Sequence, residues 1–183
     1  MRIVFLGWGS LIWCPDNLKV RGKWYKDGPC LPVEFARISG DGRLTLVLYP
    51  NADRVQVRWV YAEVNSLDKA IENLRKRERT EQCLIGFDSI KENKSRCQVV
   101  PEILNEIRDW AANKKLDAVV WTDLSSNFKD ERRKEFNWNN VIEYLKNLQD
   151  EKQQKAREYI EKAPPQITTR MRRIIKKELG WGM

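Results

Sequence analysis

The sequence predicts an α+β fold. Strand-type patterns crowd the first half of the chain, and segments with helical spacing are concentrated later. The 183 residues hold no internal repeat or low-complexity tract, and that length suits one domain with a real core.

Ile3 to Leu6 reads as a short, fully buried strand running into Gly7-Trp8-Gly9-Ser10, which is turn chemistry. Leu31 to Ser39 and Arg43 to Tyr49 read as two strands of a hairpin joined by Gly40-Asp41-Gly42. Arg54 to Val64 alternates, with Val55, Val57, Trp59 and Tyr61 on one face, and is expected to form one long strand. Ser66 is placed to cap a helix whose stripe is Leu67, Ala70, Ile71 and Leu74, ending between Arg77 and Glu81. Cys83 to Phe87 and Arg96 to Val100 are weaker strand patterns. Pro101 suits the first turn of a helix that buries Ile103, Leu104, Ile107 and Trp110. Asp117 to Trp121 reads as a buried strand. Trp138 to Leu148 and Glu151 to Lys162 read as helices, Ala163-Pro164-Pro165 breaks the chain, and Thr168 is placed to cap a last basic helix.

The formal net charge is +8, and the C-terminal segment contributes Arg170, Arg172, Arg173, Lys176 and Lys177 against Glu178. Such a segment fits either a solvated helix face or contact with nucleic acid, a membrane surface or an anionic ligand. Its Met171, Ile174, Ile175 and Leu179 repeat at helical spacing, which favours packing on the domain. There is no histidine, so acid–base work falls to Asp, Glu, Lys, Tyr or Cys. The cysteines at 14, 30, 83 and 97 form no C-x-x-C pair, which argues against a zinc site. The N-terminal apolar run stops at Gly7, too early for a signal or spanning helix, and the expectation is a cytoplasmic protein with reduced thiols.

Two segments could carry chemistry. A strand that exits into Gly-x-Gly-Ser leaves main-chain N–H groups outside a ladder, where they can converge on an oxygen. Glu78 follows Leu74 by four residues, so it lies at the margin of the apolar stripe. Burial there would raise its pKa, and the neighbouring arginines would lower it. Each segment also has a structural reading, an ordinary glycine turn and a solvated helix end.

Taken together, Phe5-Leu6-Gly7-Trp8-Gly9-Ser10-Leu11-Ile12-Trp13, the hairpin, the long alternating strand and Leu74-Arg75-Lys76-Arg77-Glu78 resemble the gamma-glutamylcyclotransferase-like family, with the turn closest to its ChaC branch. The resemblance covers roughly the first two-thirds of the chain. It implies a mixed, barrel-like sheet with flanking helices over residues 1–125, and a helical C-terminal extension over 126–183 packed on that core. It implies closure of a γ-glutamyl group to 5-oxoproline with release of the attached amine, without metal or cofactor. Glu78 inherits the acid–base role by position, with Glu81 as fallback, and Gly7, Trp8, Gly9, Ser10 and Leu11 the binding turn. Arg37 is a candidate for a substrate carboxylate. Trp8 stands where the family has tyrosine, an indole that donates but does not accept. Two other readings stay open: a binding module of the same fold without catalysis, and a basic nucleic-acid-associated protein.

Overall fold

The chain builds two sheets that sandwich one core and a helix that covers the outer face of the larger sheet. The computed structural model describes residues 1–182. The elements are β1 (Ile3–Gly7), β2 (Val20–Tyr25), β3 (Cys30–Ile38), β4 (Leu44–Leu48), β5 (Arg54–Gln56), β6 (Arg58–Ala62), α1 (Leu67–Glu78), β7 (Ile85–Ser89), β8 (Lys94–Arg96), α2 (Ile103–Asn113), β9 (Ala118–Thr122), α3 (Phe128–Arg132), α4 (Trp138–Lys146), α5 (Asp150–Lys162) and α6 (Arg170–Leu179). The six-stranded sheet runs β2-β6-β1-β9-β7-β8 and the three-stranded sheet β4-β3-β5. The architecture is α+β with mixed pairing, since β1 runs parallel to β9 and antiparallel to β6. Neither sheet closes on itself, so the barrel that the resemblance implies is not formed as a closed cylinder.

The central strand β1 is apolar on both faces because both faces are covered. Ile3 and Phe5 meet α1 through Leu67, Ala70, Ile71 and Leu74, together with Val60, Ala118 and Val120. Each fully buried Leu or Ile of that stripe is worth about 1.5–3 kcal/mol. Val4 and Leu6 face the other way, toward Val33, Phe35, Leu46, Val119 and Trp121. Val141 and Leu145 of α4, Ile160 of α5 and Ile175 of α6 join this second cluster, so the C-terminal helices share a core with the small sheet.

Four expectations are corrected. The stretch from 54 to 64 is two strands in two sheets: β5 pairs with β3, and β6 with β1 and β2. The switch falls at Val57, whose N–H bonds Pro29 O and whose carbonyl accepts from Gly28 N. Alternation alone cannot register a change of partner. The Arg96 to Val100 strand ends at Arg96, because the Gln98 and Val99 N–H groups turn to the Asp123 carboxylate. Strand β2 was not expected: it is an edge strand with Gly22 at φ +86° and a bulge between Arg21 and Tyr25, so it has no clean period. The last helix is capped by Thr169 rather than Thr168, the side chain accepting from Arg172 N.

Candidate functional site

Helix α1 ends one turn beyond Leu74. Arg79 takes the left-handed cap conformation at φ 52°, and its N–H returns to the helix carbonyls. That last turn delivers Arg77 and Glu78 to the exit of β1. There the chain makes its own tight turns, with Ile12 N–H on Gly9 O at 3.1 Å and Cys14 N–H on Ser10 O at 2.8 Å.

Arg77 ties the two segments together. Its guanidinium donates to Glu78 Oε1 at 2.6 Å, to Ser10 Oγ at 3.2 Å and to the Cys14 carbonyl at 2.5 Å. The Arg77 and Glu78 side chains are only 8% and 17% exposed. Burial pushes the Glu78 carboxyl above the ordinary glutamate range, and the Arg77 charge opposes that without cancelling it. With Oε1 engaged by Arg77, the other oxygen is the one a ligand can meet.

Both residues line a cavity of about 430 Å³ whose wall is strongly polar. Four arginines, Arg37, Arg43, Arg77 and Arg79, stand against two glutamates, Glu78 and Glu131. Arg37 arrives from β3, half-buried, with Nη1 on the Ser125 carbonyl at 2.8 Å, and burial depresses its pKa. Among the described residues no carboxylate lies within ion-pair distance of it, so its charge is open to an anionic ligand. Arg43 is paired with Asp41 at 2.8 Å and sits over the Tyr159 ring, 5.5 Å from its centroid.

Tyr159 comes from α5. The Leu46 N–H donates to its hydroxyl oxygen at 3.4 Å, and the Ser10 main-chain amide bonds the same oxygen. A Cβ built on Gly9 would lie 2.3 Å from that oxygen, so glycine is what lets the phenol reach the turn. Burial pushes the phenol up to about 12.

The structure therefore brings Ser10, Arg37 and Glu78 to one cavity, with Gly9 directly behind Tyr159. It places the other expected residues elsewhere. Trp8 is buried, its indole N–H spent on the Leu46 carbonyl at 3.2 Å. Leu11 packs in the cluster under α1. Gly7 lies against the Trp24 ring, 2.7 Å from where a Cβ would stand. Glu81 is exposed beyond the helix end, within 3.5 Å of Cys83 Sγ. Sequence reasoning missed Arg43, Arg77, Thr122, Asn127 and Tyr159 on the wall. Arg43 carried a readable signal, since it precedes the alternating Leu44, Leu46 and Leu48 beside a glycine turn. Tyr159 carried none.

The basic C-terminal helix is held firmly. Arg172 is buried, and its guanidinium caps the end of α5 through the carbonyls of Ile160, Ala163, Pro164 and Ile167 at 2.7–3.1 Å. Arg173 pairs with Asp53 at 2.7 Å. Among the described residues no group of three His, Cys, Asp or Glu could hold a metal ion, and no helix is long and apolar enough to cross a membrane. No protein-family model, curated protein or solved structure matches this chain.

Proposed function

We propose that this chain is a gamma-glutamylcyclotransferase-like enzyme that closes a γ-glutamyl group to 5-oxoproline and releases the attached amine. The observation that carries the reading is the partly buried Glu78 carboxylate on the same cavity wall as the β1 turn, joined to it through Arg77. The open sheets packed around one core are the form in which we take the family's barrel-like sheet to exist here.

In this reading Arg37 holds the substrate's α-carboxylate and orients the γ-glutamyl chain in a folded attack geometry. Glu78 takes a proton from the α-ammonium group. The freed lone pair attacks the γ-carbonyl carbon, a new C–N bond forms, and the carbonyl electrons move to oxygen. Donors around the β1 turn stabilise that oxyanion. As the tetrahedral centre collapses, the C–N bond to the leaving group breaks, and Glu78 returns the proton to the departing nitrogen. The second ammonium proton follows the same route, so atoms and charge balance without a co-reactant. A carboxyl with a raised pKa suits this exchange in both directions.

The test is 5-oxoproline release from glutathione, γ-glutamyl dipeptides and γ-glutamyl amines by the purified chain, beside Glu78→Gln. Release by wild type and loss in the variant, with unchanged circular dichroism, is the expected result. No release from any of them, or full activity in Glu78→Gln, overturns the proposal. The Arg77–Glu78 ion pair favours one second reading, a non-catalytic pocket for carboxylate metabolites, which binds the same compounds without turnover.

A further inference from the structure

The Tyr159 hydroxyl occupies the place where the β1 turn offers its main-chain donors. Its oxygen takes the Leu46 N–H of β4 and the Ser10 amide of the turn, so one N–H group of the turn is directed at the phenol. The ring is fixed from several sides: Trp13 meets it edge-on at 5.3 Å, Phe35 at 6.3 Å, and the Arg43 guanidinium lies over it. With two donors directed at its oxygen, the phenol has one proton to give. Among the described residues no acceptor takes that proton, although the residue lines the same cavity as Glu78.

We propose that Tyr159, supplied by the C-terminal helix α5, is the catalytic hydrogen-bond donor to the developing oxyanion, polarised from behind by the Ser10 and Leu46 amides. This deepens the cyclotransferase reading and rests on it. The proton stays on the phenol: as the α-nitrogen bonds to the γ-carbon, the oxygen gains charge and the O–H donates to it, then returns to its ground-state bond when the carbonyl re-forms. Two main-chain dipoles behind the phenol strengthen it as a donor, a relay of the kind low-dielectric sites favour. The phenol remains protonated at neutral pH, since burial holds its pKa near 12, with Glu78 adding to the rise and Arg43 opposing it. The same geometry leaves no room for a side chain at Gly9.

The experiment is steady-state 5-oxoproline release by wild type and Tyr159→Phe. A loss in kcat of about 10²–10³-fold with KM nearly unchanged is expected of a lost oxyanion donor. Replacement of Tyr159 by 3,5-difluorotyrosine, whose shape is nearly kept and whose phenol is more acidic, supplies the arm that survives any folding defect in the phenylalanine variant. Ionisation removes the donor, so that protein should acquire a descending limb in its pH–rate profile at a pH where wild type is flat. An active wild type with Tyr159→Phe equal to it, or a fluorinated protein without the new limb, overturns the role of Tyr159 and leaves the cyclotransferase reading standing. A wild type that releases no 5-oxoproline from any γ-glutamyl compound overturns both.

Discussion

Gly9 and Tyr159 form a pair whose coupling can be measured without any substrate. A Cβ added at Gly9 lands 2.3 Å from the Tyr159 hydroxyl, 3.4 Å from the ring carbon that bears it and 4.0 Å from Leu46 Cβ. Nearly all of the conflict is therefore with one atom, and deleting that atom removes it. Gly9 has no positive φ, so alanine meets no backbone penalty there. Gly9→Ala alone is expected to destabilise the protein by about 1–3 kcal/mol through overpacking. Tyr159→Phe alone leaves the Leu46 and Ser10 amides short of an acceptor, a cost of about 1–3 kcal/mol. In the double variant the alanine methyl fills the space the hydroxyl left. The pair should then be less destabilised than the sum of the singles by about 1–3 kcal/mol, well beyond the few tenths that separate independent sites. The assay is a double-mutant cycle by urea denaturation, read from midpoints at constant slope. Additivity within about 0.5 kcal/mol would refute the placement of α5 over the β1 turn.

Arg172→Met should remove the four-carbonyl cap on α5 and cost about 3 kcal/mol or more, seen as a lower thermal midpoint with loss of helical signal. Gly86→Ala should destabilise strongly, because its Cβ would fall 2.3 Å from Nε1 of the fully buried Trp121, a ring with no room to shift. Stability should also depend on pH. Burial raises the Glu34 carboxyl above its ordinary value, although Thr169, Met171 N–H and Phe35 N–H bond it. Between the ordinary and the raised value the native state holds a proton that the unfolded chain has lost. Glu34 therefore makes stability fall as pH rises through that window, and Glu34→Gln should flatten the slope in denaturation curves taken across it.

The parts of the fold visible in the sequence are those whose period is local. Leu67, Ala70, Ile71 and Leu74 announced α1, and the structure buries all four against β1 and β9. The β3–β4 hairpin was readable from Gly40-Asp41-Gly42 between two apolar runs, and its register follows from Val33 opposite Leu48 to Ile38 opposite Leu44. What was hidden depends on distant partners. Val57 looks like any inward residue of a long strand until Gly28 and Pro29 claim its backbone and send the halves to different sheets. The five residues of α3 are too few to display a helical period, and β2 is an edge strand without alternation.

The candidate site divides along the same line. Glu78 could be singled out because its depth is set by its own helix, four residues past a core leucine. Arg77 could not, because a basic run at a helix end reads as solvated surface, and only the fold of the β1 turn gives this member Ser10 and Cys14 to bond. Tyr159 lies 81 positions beyond Glu78 on a helix whose other residues are mostly polar, and its role exists only once α5 is laid across β4. The wall of the cavity is thus shared between both ends of the chain. Truncation before α5 would remove the phenol that packs on the turn together with the core side chains Ile160 and Ile175, so a helical C-terminal region that reads as an appendage in sequence is a structural component of the site.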